Sequence, residues 1–309
     1  MRGGVLVVDK PSGPTSFEVV KRVRRLLRAA KAGHTGTLDP MATGVLAVCV
    51  DDAVKLQQWL TDGDKAYQAT VAFGAATDTE DAEGEVVARA DPAGLDAAAI
   101  RAALPRFTGE IEQVPPMYSA VRVGGRRLHE AARAGEEVDR AARRVTVHDL
   151  ELLEVAGVEG GLRRARLAVR CGKGTYVRTL AADLGRALGV PAHLVELRRT
   201  RAGPFDLGRA LELREAESIA SGAGGPAALA RRLVPPEEAM AFLPRVEVRP
   251  DEARALLQGR ALSRPGTPDG EACAVLPGLG LVAICEASGG SVRPARVLIA
   301  AAELAGSGG

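Results

Sequence analysis

The chain has 309 residues, of which 46% are hydrophobic and 26% charged, with a formal net charge of +2 at pH 7. This composition describes a soluble globular protein long enough for one large domain and a small one, and it excludes a global field that would attract a polyanion. The basic residues comprise 35 Arg and only six Lys. A planar guanidinium suits phosphate and base recognition, although a compositional bias of the genome would give the same excess.

The sequence gives no indication of a membrane protein, a secreted protein or a metal-binding protein. No apolar run reaches about 18 residues, and the first 20 residues lack the pattern of a signal peptide. The four cysteines show neither close pairs nor metal-ligand spacing, which predicts reduced core thiols in a cytoplasmic protein. With only four histidines and no clustered ligands, we expect no metal site.

The chain begins with a predicted buried strand and a basic helix. Residues 4–9 are apolar and β-branched. Thr15 and Glu18 have capping-box spacing, and the helix that follows runs to about Lys31. Its polar surface carries almost no acid, so it is either a solvated face or a surface that binds phosphates. The basic residues of this surface are Lys21, Arg22, Arg24, Arg25 and Arg28.

A loop crowded with small residues separates that helix from an apolar strand at 45–50. Residues 33–44 read Gly-His-Thr-Gly-Thr-Leu-Asp-Pro-Met-Ala-Thr-Gly and contain one carboxylate, Asp39. The glycines allow sharp turns and a close approach to a ligand, and Pro40 biases Asp39 away from helical angles. Taken alone, Asp-Pro in such a loop is an ordinary turn, and the string lacks the Gly-Lys-Ser/Thr ending of a phosphate-binding P-loop.

The middle of the chain is predicted to alternate strands, loops and short helices. On a strand at 65–74, Tyr67 shares a face with apolar residues, and this spacing alone favours a core tyrosine. Residues 122–144 carry seven arginines and three glycines, which suggests a mobile basic arm. The other segments are a helix at 53–60, an acidic loop at 77–85, a helix at 95–104, an extended stretch at 109–120 and strands at 143–154 and 163–171.

A second informative stretch, Cys-Gly-Lys-Gly-Thr-Tyr-Val-Arg-Thr-Leu, occupies residues 171–180. It places Tyr176 and Arg178 at the junction between a strand and a helix, a favoured place for site residues. A structural tyrosine and a surface arginine are the open alternative. The helix is predicted to end at Gly189, and a basic strand follows at 193–201.

Beyond Leu211 the chain is helical and Ala-rich up to a composition shift, which places a domain boundary near 240–245. The remaining residues alternate short strands with Gly/Pro turns after one helix at 250–259, a pattern typical of a small β-barrel. Residues 306–309 are expected to be disordered. The strands of the barrel are predicted at 272–276, 281–287 and 293–300.

The loop at 33–44 closely resembles the signature loop of the bacterial tRNA pseudouridine-55 synthases, the TruB family. The resemblance covers about residues 4–205, and the C-terminal part resembles the family's PUA-type RNA-binding domain in size and position. It implies an α+β fold, with a mixed, mostly antiparallel sheet flanked by helices and a small C-terminal PUA-like β-barrel. The expected domains are a catalytic domain at 1–240, with an RNA-gripping arm at about 115–144, and an RNA-binding domain at 245–305. Further matching motifs lie at 4–11, 64–67, 116–120 and 173–179.

The resemblance also assigns roles to individual residues. Asp39 matches the catalytic nucleophile, Arg178 the arginine that pairs with it, and Tyr67 the tyrosine that stacks on the flipped base and takes a proton in the last step. A charge-assisted pair would both orient Asp39 and favour its charged form, so we expect Asp39 and Arg178 to be in contact. The substrate-binding residues implied are His34, Tyr67, Tyr176, Leu197 and Lys10.

The implied activity is isomerisation of uridine-55 in the T-loop of tRNA to pseudouridine, by base flipping, cleavage of the glycosidic bond and re-attachment through C5. The resemblance implies a cytoplasmic monomer that acts without cofactor, metal, membrane or guide RNA. One alternative is a non-catalytic tRNA-binding or RNA-folding protein on the same scaffold. Another is the guide-RNA-dependent branch of the superfamily, although the long basic arm is more similar to that of the stand-alone branch.

Overall fold

The computed structural model describes residues 3–119, 122–123, 126–127, 136 and 138–305. These residues form two compact units. The first contains the described parts of Met1–Leu38, Leu46–Thr61 and Pro204–Gly309, and the second those of Asp39–Val45 and Asp62–Gly203. The chain passes from one unit to the other at four places, after residues 38, 45, 61 and 203.

Strands make up much of both units, and helices occupy the connections between them. The strands are β1 Val5–Lys10, β2 Ala32–His34, β3 Thr43–Val50, β4 Lys65–Phe73, β5 Ala75–Thr77, β6 Val86–Arg89, β7 Gly109–Gln113, β8 Arg122–Val123, β9 Arg126–Arg127, β10 Arg143–Glu159, β11 Leu162–Cys171, β12 Ala192–Ala202, β13 Phe205–Asp206, β14 Leu211–Glu212, β15 Arg245–Glu247, β16 Leu262–Ser263, β17 Gly270–Leu276, β18 Gly280–Ser288 and β19 Ser291–Val297. The α-helices are α1 Ser16–Leu27, α2 Gln57–Asp62, α3 Ala97–Ala103, α4 Val177–Ala187, α5 Leu213–Ser221, α6 Gly225–Ala230, α7 Pro236–Ala239, α8 Pro250–Leu257 and α9 Ala301–Ala305.

The second unit is built on a mixed, mostly antiparallel sheet, as the sequence predicted. Strand β12 runs parallel to the start of β3 and antiparallel to β4. Strands β11, β10 and β7 continue the sheet beyond β4, each antiparallel to its neighbour. Helix α4 packs on β12 with its apolar face buried. Because β12 lies between β3 and β4, residues of three different segments meet on the faces of this sheet.

The first unit contains α1 and a buried strand, β1, between β14 and β3. The predicted capping box of α1 is present: the amide of Glu18 donates to Thr15 Oγ1 and its carboxylate accepts from the amide of Thr15. The predicted end at about Lys31 is wrong, because Arg28 adopts a left-handed conformation (φ 53°) and ends the helix. The next residues form β2, which pairs with β3 and was not predicted.

A five-stranded sheet of β15, β17, β18, β19 and β16 forms the predicted small C-terminal barrel. It has its own buried apolar core, to which α8 and α9 contribute. Its contacts within the first unit include a hydrogen bond of 2.5 Å from Trp59 Nε1 to Glu271 Oε1. The last predicted strand ends early, at Val297, and a short helix follows. The domain boundary near 240–245 stays a prediction.

Other differences concern local geometry. The predicted helix at 53–60 is a 3-10 turn over Asp51–Leu56 followed by α2, and the extended stretch at 109–120 is a strand only over Gly109–Gln113. Eleven residues of the predicted basic arm at 122–144 lie outside the described residues, as do 306–309. All four cysteines are buried free thiols, as expected. No helix within the described ranges is long and apolar enough to cross a membrane.

Candidate active site

Asp39 leaves the loop between β2 and β3 at a tight turn. The amide of Ala42 donates to the carbonyl of Asp39 at 3.1 Å, which closes that turn. Before it, Ser16 Oγ exchanges two hydrogen bonds of 2.8 Å with the amide and carbonyl of Leu38. The side chain of Asp39 is 31% exposed, so the loop presents an accessible carboxylate on a backbone fixed from both sides.

Arg178, in the first turn of α4, is buried and faces Asp39. Its Nε lies 2.9 Å from Asp39 Oδ2 and its Nη2 lies 3.3 Å from Oδ1, so the predicted contact is present and uses both carboxylate oxygens. Nη2 also donates to the carbonyl of Tyr118 at 3.0 Å, while Nη1 donates to the carbonyl of Thr79 at 3.0 Å and lies 3.4 Å from Asp81 Oδ2. A guanidinium has five N–H donors, and five acceptors surround this one.

The loop of Thr79, Glu80 and Asp81, which contacts the Nη1 atom of Arg178, is itself constrained. Asp81 is 4% exposed, and its Oδ1 accepts from the Thr79 hydroxyl at 2.6 Å and from the amide of Glu83 at 3.1 Å. Glu80 has a φ of 64°, a region that costs a non-glycine residue of order 1–3 kcal/mol. Its carboxylate accepts from Thr179 Oγ1 at 2.7 Å, which ties the strained loop to the helix start beside Arg178.

Gln113 fixes the backbone of Tyr176. Its Oε1 accepts from the amide of Tyr176 at 3.0 Å, and its Nε2 donates to the carbonyl of the same residue at 3.2 Å. Gln113 is 2% exposed, so these two bonds satisfy its buried amide group. Gln113, at the end of β7, thereby fixes the backbone of Tyr176, which directly precedes α4. Tyr176 itself stays partly exposed.

Tyr67 lies on β4 opposite Arg199 of β12, and Leu197 of β12 lies opposite Ala69. Opposed residues of an antiparallel pair point to the same face, so Tyr67 and Leu197 share a face of the sheet. Tyr67 is partly exposed and Leu197 is buried. Burial raises the pKa of the Tyr67 phenol, and the nearby Asp39 carboxylate acts in the same direction. The phenol is therefore protonated at neutral pH.

The two remaining predicted site residues, Lys10 and His34, belong to the first unit. Lys10 is fully buried, and its Nζ donates to the carbonyls of Pro11 and Pro14 at 2.9 and 2.8 Å. Nδ1 of His34 accepts from the amide of Gly36 at 3.3 Å, and its carbonyl accepts from Gln57 Nε2. In the structure Lys10 organises its own turn, while the His34 ring is partly exposed.

Sequence reasoning missed Asp81 and Gln113. Asp81 stands in an acidic run that was interpreted as a loop, and its burial depends on a partner about a hundred positions away. Gln113 carries no local signal, since its partner is the backbone of a distant residue. Among the described residues, no group of three or more His, Cys, Asp or Glu forms a metal-binding cluster.

Comparisons with known proteins identify the family of this chain. Three family models match successive parts of the chain: the TruB family pseudouridylate synthase N-terminal domain at 24–177, the tRNA pseudouridylate synthase B C-terminal domain at 178–241, and the tRNA pseudouridine synthase II C-terminal domain at 243–299. The tRNA pseudouridine synthase B of Azoarcus sp. (strain BH72) is 48% identical over 296 residues, which cover 96% of this chain and 94% of that protein. That of Aromatoleum aromaticum is 55% identical over 263 residues, covering 85% and 82%.

Solved structures share the fold of this chain. The chain is similar to a chain of a Cbf5-Nop10-Gar1 complex, with a TM-score of 0.72, 29% identity and coverage of 97% of this chain and 86% of that chain. A chain of an H/ACA RNP bound to a substrate RNA containing 2'-deoxyuridine matches with a TM-score of 0.72, 28% identity and coverage of 96% and 85%. This chain belongs to the TruB family of pseudouridylate synthases.

Proposed function

We propose that this chain isomerises uridine-55 in the T-loop of tRNA to pseudouridine. The observation that carries the proposal is the accessible carboxylate of Asp39 held through both oxygens by the buried guanidinium of Arg178. The relatives named tRNA pseudouridine synthase B support tRNA as the substrate. The choice of uridine-55 rests on the resemblance of the Asp39 loop to that of the family.

Asp39 supplies the chemistry in this proposal. The reaction breaks the bond between C1′ and N1 and joins C1′ to C5; C5 loses a proton and N1 gains one, so substrate and product are isomers. Cleavage of a glycosidic bond develops positive charge at C1′, which a carboxylate stabilises or captures. A carboxylate is also able to remove a proton from the ribose. Both uses need an ionised acid with a fixed direction, which the pairing with Arg178 provides.

The face of the sheet that carries Tyr67 and Leu197 is the proposed pocket for the flipped base. A base that leaves its stack needs an aromatic platform, and Tyr67 is an aromatic side chain in the electrostatic range of Asp39. Tyr176, whose backbone Gln113 clamps, forms a further wall of the pocket. In this proposal Tyr67 stacks on the uracil, gives its phenol proton up toward N1 and accepts the C5 proton in the final step.

The RNA is gripped outside the pocket, in this proposal, by the basic face of α1, the arm at about 115–144 and the C-terminal sheet. On α1, Lys21, Arg24 and Arg25 are exposed. Stem-loop RNA is recognised through shape, backbone and splayed bases, which suits such surfaces. In this proposal His34 enters the RNA loop where the base leaves, and Lys10 also binds the substrate. Several phosphate contacts predict binding that weakens steeply with salt.

The protein acts as a stand-alone enzyme in this proposal. It works as a cytoplasmic monomer without a guide RNA. An isomerisation needs neither an oxidant nor a group donor, so no cofactor is called for. A member of the guide-dependent branch would be inactive when purified alone, and this difference decides between the two branches.

The test uses purified protein, an unmodified tRNA transcript and no guide RNA, with pseudouridine mapped at single-nucleotide resolution. The wild type should convert the T-loop uridine, and Asp39→Asn should bind the transcript without converting it. Asp62→Asn is the matched control, since Asp62 is an exposed carboxylate that pairs with Lys173 at 3.0 Å. If the wild type binds the transcript tightly without converting it, the protein is a non-catalytic RNA-binding protein on the same scaffold and the proposed activity is wrong.

A further inference from the structure

Arg199 is a fully buried cation that the mechanism above does not use. It is 2% exposed and lies on β12, the strand between the start of β3 and β4. Its register partners are Gly44 on one side and Tyr67 on the other. One residue therefore bridges the strand that follows the Asp39 loop and the strand that carries the proposed base platform.

The guanidinium of Arg199 is anchored at one end. Its Nε donates to the carbonyl of Val45 at 2.7 Å. The backbone of Arg199 is also in tight contact with the β3 strand, because a Cβ placed on Gly44 would lie 2.1 Å from the Arg199 carbonyl oxygen. The position of this arginine is thus set by Gly44 and Val45, near the start of β3, five and six positions after Asp39.

Arg199 and Tyr67 lie directly opposite each other on β12 and β4, so their side chains share a face of the sheet. The Arg199 side chain hydrogen bonds to the Tyr67 phenol, which opposes the rise that burial causes in the pKa of that phenol. A guanidinium only donates hydrogen bonds. The phenol oxygen therefore accepts from Arg199, and the hydroxyl hydrogen of Tyr67 points elsewhere.

We propose that Arg199 is a positioning residue for Tyr67, which fixes the direction of the phenol hydroxyl and stabilises the phenolate. The inference rests on the proposed function, because it gives the Tyr67 phenol a role in the reaction. Desolvation makes this phenol costly to ionise, and a guanidinium held against its oxygen lowers that cost. Because the resting phenol is protonated, it first gives up its proton, which the reaction delivers to N1. The phenolate then takes the C5 proton, so the phenol is restored and Arg199 keeps its charge.

A role in folding alone is the competing explanation, since any buried arginine with paired neighbours is costly to remove. The two explanations differ in what they predict for Tyr67. A structural arginine would lower stability without acting specifically on the phenol. A positioning arginine acts through the phenol, so its effect disappears when the phenol is absent.

The first measurement is the ultraviolet titration of the phenols in free protein. The chain has only three tyrosines, so the signal of Tyr67 is identified by difference against Tyr67→Phe. In Arg199→Gln the Tyr67 titration should move to higher pH, because a nearby cation is lost. Arg201→Gln is the matched control: Arg201 is exposed on the same strand and donates to the carbonyl of Gly203. In Arg201→Gln the Tyr67 phenol should titrate as it does in the wild type.

The second measurement is a double-mutant cycle on the single-turnover conversion rate of tRNA. Arg199→Gln should slow conversion roughly 10- to 100-fold in the wild-type background. In the Tyr67→Phe background the same change should cost about twofold or less. If Arg199→Gln does not fold, Arg199→Lys replaces it in both measurements. Lysine keeps the positive charge but lacks the planar, forked donor group of arginine. Arg199→Lys should therefore slow conversion less than Arg199→Gln, and this effect should also disappear in the Tyr67→Phe background.

A Tyr67 titration that does not move, or losses that add in full in the double variant, would overturn the inference while conversion by the wild type leaves the proposed function intact. A wild type that converts no uridine would instead remove the proposed function, and with it the catalytic use of the phenol. The titration alone would then still decide whether Arg199 acts on Tyr67.

Discussion

Arg178 and Asp39 meet side by side, with Nε 2.9 Å from Oδ2 and Nη2 3.3 Å from Oδ1. The arginine is 5% exposed and the aspartate 31%, so one partner is fixed inside the protein and the other is presented to solvent. A bidentate pair fixes the plane of the carboxylate as well as its position. The aspartate cannot rotate without breaking a hydrogen bond.

Arg178→Lys should lower the single-turnover conversion rate by about 100-fold or more. Lysine keeps the charge but places one point donor where the guanidinium meets five acceptors, so Asp39 loses its fixed plane. Binding of tRNA should change little. A lysine variant with the rate of the wild type would mean that charge alone is sufficient.

Asp81→Asn should slow conversion roughly tenfold, because Arg178 loses the buried charge behind it and its orientation loosens. The measurement is the same single-turnover assay. Asp78→Asn is the control in the same loop, since Asp78 is exposed and accepts only the amide of Glu85 in a described hydrogen bond. Equal effects of the two changes would contradict a specific role for Asp81.

Gln113→Leu should raise KM more than it lowers kcat and should reduce the free energy of unfolding by about 1–3 kcal/mol. The leucine leaves both backbone groups of Tyr176 without their partner, so the residue that lines the proposed pocket shifts. Steady-state kinetics and urea unfolding measure the two effects. Gln68→Leu, an exposed glutamine on β4, should leave both near the wild-type values.

Gly44→Ala should destabilise the protein by more than about 3 kcal/mol, whereas Gly13→Ala should cost about 1–2 kcal/mol. Both glycines have a left-handed φ, 99° and 107°, so the conformational strain is matched. They differ in surroundings: a Cβ on Gly44 meets the backbone of Arg199 at 2.1 Å, and a Cβ on Gly13 meets nothing within 4 Å. Urea unfolding of both variants separates the clash from the strain, and equal losses would disprove the close approach.

Glu252 should make the stability of the C-terminal sheet depend on pH. The hydrogen bond from Arg264 Nη2, at 2.6 Å, is the largest cause that lowers the pKa of the Glu252 carboxyl in the folded protein. A lowered folded pKa adds stability above the unfolded value of about 4.3, and this stability is lost as the pH falls through the folded value. Glu252→Gln should therefore lower Tm at pH 7, and the difference from the wild type should close below about pH 4.

The control for Glu252 is Glu247→Gln. Glu247 pairs with Arg245 at 3.1 Å, but both side chains are more than half exposed, and exposed pairs contribute little. Its Tm should follow that of the wild type at every pH. A constant gap between the wild type and Glu252→Gln down to pH 3 would contradict the assigned cause.

Many of the strand positions along the chain were predictable because local patterns are sufficient for them. The alternation in β4 and the apolar run of β3 each report burial directly, and the capping box of α1 is a contact between residues three positions apart. The pairing of Asp39 with Arg178 spans about 140 positions. It was predicted only because the motifs around both residues resemble those of one family.

The rest depended on tertiary structure. Residue propensity does not predict the left-handed conformation of Arg28. The helix ends there because the amides of Ala30 and Lys31 donate to the carboxylate of Asp51. A carboxylate in an acidic run is usually solvated, yet Asp81 is buried because a distant arginine faces it. The partner of Gln113 is a backbone, which leaves no trace in side-chain spacing.

The hydrogen bond between Trp59 and Glu271 gives the protein an intrinsic optical probe. Trp59 is the only tryptophan in the sequence, and its indole N–H is bound by a carboxylate on β17 of the C-terminal sheet. Indole emission changes with hydrogen bonding and with access to water, so a loosening of this contact alters the fluorescence of the whole molecule. The intrinsic fluorescence of each variant therefore reports whether the contact between Trp59 and the C-terminal sheet is intact. This check needs no label and no assay on RNA.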